Sequence, residues 1–242
     1  MSVRIKCQNC AVRAAALCSA VSEEAAAELG RSFHRRRVPA GQIIYGGEQQ
    51  AKSFAIIVSG IVKLVNAKPD GRQQIVGLQF PADFLGHPQA NHTTILAEAA
   101  TDLDLCCFSG SHFENLMRDY PEIERILLQR TLDDLDLARD WMFMLGRKTA
   151  RERVASLLLL IAERMLNPVD GGKKPCESVQ SGTFDLPLSR SEMAECLGLR
   201  LETVSRQMAN LNAARVISAS RTRVLCVHDM AELRRLSESP GD

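Results

Sequence analysis

The chain has 242 residues, enough for two domains, and its 45% hydrophobic and 24% charged content is that of an ordinary globular protein. A net charge of +1 excludes a globally basic nucleic-acid binder, so any such surface is local. The basic residues Arg200, Arg206, Arg215, Arg221 and Arg223 do gather late. The longest apolar run, near Val154 to Ala162, is too short to span a bilayer, and no signal peptide is visible at the cysteine-bearing N-terminus. A cytoplasmic protein without a membrane partner is expected.

Eight cysteines without a secretory signal point to a reduced compartment and to metal or redox use. Three of them, Cys7, Cys10 and Cys18, form a Cys-x2-Cys-x7-Cys pattern. The close pair can turn both sulfurs toward one metal centre, and the third can join them. A fourth thiolate must come from elsewhere, with Cys106 and Cys107 as the candidates. A zinc site is possible, but three local ligands and one remote ligand fit an iron–sulfur cluster better. Arg4, Lys6 and Arg13 are expected to favour thiolates and to offset cluster charge, and Leu17 to shield an edge of the cluster.

From Phe33 to Phe108 short β-rich runs alternate with turns. The stretch from Val38 to Tyr45 turns into a strand, Phe54 to Leu64 is broken by Ser59-Gly60, and Lys68-Pro-Asp-Gly-Arg is a turn between strands. This spacing predicts a β-barrel or jelly roll. A short helix at Phe113–Met117 is followed by a long one from Pro121 to Leu145. On the long helix Leu128, Leu132, Leu135, Ala138, Met142 and Leu145 form one apolar stripe. That stripe can pack on the roll or against a second copy. Asp133, Asp134, Asp136 and Asp140 flank it and would weaken a dimer.

Gly146 and Arg147-Lys148 read as a hinge. An amphipathic helix at Arg151–Leu166 follows, then the loop 167–182, where Cys176 is taken as incidental, and a short strand from Phe184. Ser189 and Glu192 make a capping box, Met193, Ala194 and Leu197 share a face, and Gly198 permits a sharp turn. A second helix begins near Leu201, with Leu201, Val204, Met208 and Leu211 expected to be buried. Its other face carries Glu202, Ser205, Arg206 and Gln207. An arginine there can bond two acceptors of a guanine edge, and a glutamate can accept from a cytosine amino group. Val216-Ile-Ser and Val224-Leu-Cys-Val are expected to form a two-stranded wing.

The run GLRLETVSRQ, preceded by its capped helix, resembles the helix-turn-helix of the CRP/FNR superfamily of transcription regulators. The Cys7–Cys18 segment is similar to the sensor of the FNR branch, in particular its rhizobial and purple-bacterial FnrN/FnrL-like members. The resemblance spans nearly the whole chain. It implies an α+β fold built from a cyclic-nucleotide-binding-like β-roll (a jelly roll), a long dimerisation helix and a C-terminal winged helix-turn-helix. The implied segments are 1–20 (cysteine-rich), 21–119 (sensory roll), 120–146 (dimerisation helix) and 147–242 (DNA-binding domain).

By the same resemblance, Glu202, Ser205 and Arg206 fall on the base-reading trio. Arg200 stands where the family often has a capping Thr, and it would meet a phosphate instead. Cys7, Cys10, Cys18 and Cys106 fall on the ligands of an oxygen-labile [4Fe-4S] cluster, with Cys107 as the alternate fourth ligand. The implied partners are double-stranded DNA with TTGAT-N4-ATCAA-type half-sites, a second copy of the chain, and RNA polymerase, for which the Lys68–Arg72 turn is a candidate surface. The nucleotide cassette does not survive: Gly86-His87 and Thr93-Thr94 replace its acidic and basic residues, so no cAMP binding is expected. His87 and His92 read as surface residues.

The resulting expectation is an oxygen-responsive regulator, not an enzyme. No Ser/His/acid set, catalytic carboxylate pair or phosphate-cradling loop emerges. The alternative is a FixK-like regulator without a cluster, either constitutive or controlled by oxidation of Cys196, which sits at the end of the first reader helix.

Overall fold

The structure, a computed structural model, describes residues 7–22, 26, 30, 33–47, 53–86, 93–166, 181–219 and 223–238. Arg4, Lys6, His87, His92, Cys176 and Arg221 lie outside the described residues. The chain divides into two compact units, Met1–Asp134 and Leu135–Asp242, so the division falls inside the long helix.

The first unit contains the expected β-roll, made of two four-stranded antiparallel sheets. One runs β1-β8-β3-β6, with β1 His34–Val38, β8 Leu103–Ser109, β3 Ser53–Ser59 and β6 Phe84–Leu85. The other runs β2-β7-β4-β5, with β2 Ile43–Gly47, β7 Thr93–Ala99, β4 Val62–Ala67 and β5 Gln73–Gln79. Strand β1 is absent from the sequence reading, because His-Arg-Arg-Arg-Val has no apolar alternation. Its charges suit an edge strand, and Arg35 on it pairs with Asp104 of β8.

Alternation along β3 and β8 builds two separate cores. Ala55, Ile57, Leu105 and Cys107 pack with Val62 and Ala97 in one. Phe54, Ile56, Cys106 and Phe108 face the other way, into a core shared with Val12, Leu17, Phe113 and Ile123. The break after β3 needs glycine: Gly60 has φ +87°, and a Cβ there would collide with the carbonyl of Asp102.

Helix α1 spans Gly110–Asp119, longer than expected, and α2 spans Pro121–Arg147. The helix continues through Gly146, so the predicted hinge lies later, at Lys148-Thr149. There Thr149 and Glu152 form a second capping box that starts α3, Ala150–Leu166: the Thr149 N–H donates to Glu152 Oε2 at 2.6 Å.

The second unit continues with β9 Gly182–Asp185, α4 Arg190–Leu197, α5 Leu201–Ala213, β10 Ile217–Ala219, β11 Val224–Val227 and α6 Met230–Glu238. The wing is a three-stranded sheet, β10-β11-β9, where two strands were expected. The third strand is the segment before the reader helices, held by Leu225 opposite Phe184. Helix α6 was not anticipated. It buries Met230, Leu233 and Leu236, and Arg234 on it pairs with Glu163 of α3 at 2.6 Å. Among the described residues no helix is long and apolar enough to cross a membrane.

Candidate functional site

Residues 7–20 form two short 3-10 turns, Cys7–Asn9 and Leu17–Ala20, laid on the face of the roll that carries Cys106. The Cys10 N–H donates to the Cys7 carbonyl at 3.3 Å, and the Arg13 N–H to that of Cys10 at 3.2 Å. The folded turns bring Cys7, Cys10 and Cys18 to the same cavity as Cys106, with Val12, Ile56 and Val58 as apolar wall and Arg13 at the edge. Cys107 takes no part in this lining. It pairs with Ala55 where Cys106 pairs with Ile56, and so faces the interior of the roll.

Burial pushes the Cys18 thiol from 9.0 up to about 12, reinforced by Cys7 and Cys10. The Cys106 thiol is raised by burial and then by Cys18, Cys7 and Cys10, and the Cys7 thiol by burial and Cys10. Arg13 opposes the rise at Cys7 and Cys18 without overcoming it. The expectation that basic neighbours would favour thiolates is therefore corrected for Arg13: without metal, burial outweighs it and the Cys7 and Cys18 thiols keep their protons, while Arg4 and Lys6 lie outside the described residues. Metal entry would expel those protons. Among the described residues no three His, Cys, Asp or Glu side chains form a site for a single ion. What the described residues do show is four cysteines from two distant segments in the lining of one cavity.

The predicted stripe on α2 is open to solvent: Leu128 is 59% and Met142 73% exposed, Leu132, Leu135 and Ala138 are exposed, and Leu145 is half-buried. Phe143, missed in the sequence reading, is exposed beside them. The flanking acids are partly engaged, since Asp136 accepts from Arg139 at 2.7 Å and Asp133 from Gln129 at 2.9 Å. A second row, Ile123, Ile126, Leu127 and Arg130, turns toward the roll. Arg130 donates to the carbonyl of Ala82 at 2.8 Å and also to the carbonyl of Ala15, between Cys10 and Cys18. The sequence signal for this row was the i, i+3, i+4 spacing that ends on Arg130.

The reader helices form as expected. Ser189 N–H donates to Glu192 Oε2 at 2.7 Å and Glu192 N–H to Ser189 Oγ at 3.2 Å, completing the capping box. Gly198 closes α4 in the left-handed conformation, φ +59°. Val204, Met208 and Leu211 are buried, whereas Leu201, in the first turn of α5, is 45% exposed and not buried as predicted. Glu202, Ser205 and Arg206 are exposed together on α5. Arg200 occupies its N-cap with no side-chain cap bond, which leaves an exposed guanidinium at the end of the helix.

Cys196 is completely buried. It does not lie open to solvent or to a phosphate as the redox expectation required, and its core setting accounts for its size and polarity. Arg153 was also missed. Its guanidinium donates to the carbonyls of Lys148, at 2.9 Å, and Leu197, at 3.1 Å, and so ties the hinge to the joint of the reader helices.

A Crp-like helix-turn-helix domain model matches residues 152–236, and a cyclic nucleotide-binding domain model matches residues 35–120. The chain is 43% identical over 232 residues to a probable transcriptional activator of Rhizobium leguminosarum bv. viciae, covering 96% of this chain and 93% of that one. It is 43% identical over 237 residues to the transcriptional activator protein FnrL of Cereibacter sphaeroides, covering 98% and 92%. The chain belongs to the CRP/FNR family of transcription regulators. Its fold is similar to that of FixK2 from Bradyrhizobium japonicum, with 29% identity, a TM-score of 0.73 and coverage of 86% of this chain and 99% of that one. As a CRP/FNR-family regulator with a helix-turn-helix it is a DNA-binding protein and not an enzyme.

Proposed function

We propose that this CRP/FNR-family regulator is a cytoplasmic, oxygen-responsive transcriptional activator whose cysteines hold a [4Fe-4S] cluster. The observation that carries this reading is the shared cavity of Cys7, Cys10, Cys18 and Cys106, drawn from two distant segments. When bound, such a cluster supplies oxygen lability. The chain's part is to give up four thiol protons, to surround the group with Val12, Ile56 and Val58, and to keep the Cys7–Cys18 segment folded on the roll.

The exposed stripe on α2 supports a homodimer formed at low oxygen, with each protomer presenting α5 to one half-site. Half-sites one helical turn apart suit a two-fold dimer. Arg206 would take the guanine of TTGAT, Glu202 would accept from a cytosine amino group, and Arg200 would hold a phosphate. The activator role rests on the similarity to FnrL and to the Rhizobium activator. Contact with RNA polymerase is part of the same reading, and the exposed Lys68–Arg72 turn is a candidate for it. The roll takes no cyclic nucleotide in this reading.

The test is anaerobic purification of the full chain with iron and sulfide assays, an absorption spectrum, and DNA binding before and after air. Four irons and four sulfides per chain, with binding lost on aeration, are expected. Zinc or no metal, with binding indifferent to air, would leave a cluster-free, FixK-like regulator.

A further inference from the structure

A second cavity adjoins the thiol cavity. Its walls include Leu17, Val21, Phe33, Phe113, Leu116 and Ile123, and Cys18 and Ile56 belong to both cavities. The space is small, about 20 Å³, which is room for a single small molecule. Apart from the Cys18 thiol its lining is hydrocarbon, so the protein offers a water there none of the two to four partners it needs. Close-packed interiors ordinarily fill such gaps. Here Phe108 holds rings on both sides, its centroid 5.0 Å from that of Phe33 and 5.7 Å from that of Phe113. The three tilted rings form one wall of the cavity.

We propose that this cavity is a holding site for dissolved dioxygen, placed beside Cys18. Dioxygen is small and apolar and gives up no hydrogen bond on leaving water, so a hydrocarbon-lined cavity favours it over ions and polar solutes. Leu17 and Ile56 then act on the rate at which oxidant reaches the thiol cavity, separately from the affinity of the four cysteines for metal. The inference rests on the oxygen-sensing reading above, and it adds to that reading the place where the gas waits.

Xenon is the probe, because it enters dry apolar cavities of this kind. Crystals of the anaerobic holoprotein are pressurised with xenon, and loss of cluster absorbance in air is timed for the wild type, for Val21→Ile and for Leu116→Phe at matched iron content. Xenon density between Leu17, Phe113 and Leu116, with decay slowed several-fold in the filled variants, is expected. Decay of the wild type should also slow under xenon, which tests the site without any substitution. Absence of xenon from the cavity, or filled variants that decay at the wild-type rate, would overturn the inference. Protein purified without iron or sulfide would instead sink the oxygen reading, while the xenon density still decides whether the cavity takes an apolar gas.

Discussion

Arg130 on α2 donates to the carbonyl of Ala82 at 2.8 Å, and the same guanidinium reaches the carbonyl of Ala15 in the cysteine-bearing segment. One side chain therefore fastens the thiol site to the helix that carries the exposed stripe. Leu128 and Leu132 lie two residues to either side of it. Hydrogen bonds from a charged donor each contribute roughly 1.5–3 kcal/mol. Arg130→Met keeps the hydrocarbon stem and removes the donors. With two such bonds lost it is expected to cost up to about 3–6 kcal/mol in urea unfolding, and to narrow the difference in dimer fraction between anaerobic and aerated protein in sedimentation. An unchanged difference would separate the helix from the thiol site.

The stripe itself is open to substitution at Leu132, which is 47% exposed and outside the buried core. Leu132→Glu is expected to leave the stability of the chain within about 0.5 kcal/mol, while abolishing the dimer and binding to a two-half-site duplex. Sedimentation of the metal-loaded protein and a gel-shift titration read the two effects. A dimer that survives this change would place the interface elsewhere.

On the reader helix, Arg206→Ala should relax discrimination at one base pair by about 1–3 kcal/mol. Arg200→Ala should weaken all sequences alike and lower the salt slope of binding by about 1. Ser189→Ala removes one half of the capping box that orients α4, at about 1 kcal/mol of stability. Binding titrations over a salt series, on matched and mismatched duplexes, distinguish a base contact from a phosphate contact.

The buried thiols give the metal-free protein a defined pH dependence. The folded-state value of Cys18 is raised from 9.0 to about 12, mainly by burial, and Cys7 and Cys106 move in the same direction. A raised folded-state value contributes stability that is present below the ordinary value and lost as the pH climbs through the folded one. Urea midpoints of the reduced, metal-free chain should therefore fall between pH 9 and about 12. Cys18→Ala should flatten that fall. Metal uptake runs the other way: it releases protons, so affinity should rise with pH over the same window.

Much of this was legible in the sequence because local chemistry and tertiary structure agree there. Ser189, Glu192 and Gly198 close α4 through bonds that span only a few residues, and the period-two alternation of a strand separates Ile56 from Ile57 on β3 as it separates Cys106 from Cys107 on β8. What stayed hidden depends on long-range contact. The strand His34–Val38 is charged and becomes a strand by pairing with β8. The strand Gly182–Asp185 joins the wing across nearly forty residues of chain. Arg130 and Arg153 look like ordinary helix-surface arginines until the carbonyls of Ala15 and Ala82, and of Leu197, all distant in sequence, are folded against them. Leu201 fits the buried spacing but sits in the first turn of its helix, where it is only partly covered.

Which of two adjacent cysteines faces the shared cavity is the point on which the oxygen-responsive reading turns. Anaerobic iron and sulfide analysis of Cys106→Ala and Cys107→Ala, each beside the wild type, compares neighbours that differ only in the face of β8 they occupy. Cys106→Ala is expected to lose the cluster and its air-sensitive DNA binding. Cys107→Ala is expected to keep both, with no more than a modest loss of stability from the vacated core position. Equal iron in the Cys106→Ala protein, or loss confined to Cys107→Ala, would contradict that reading.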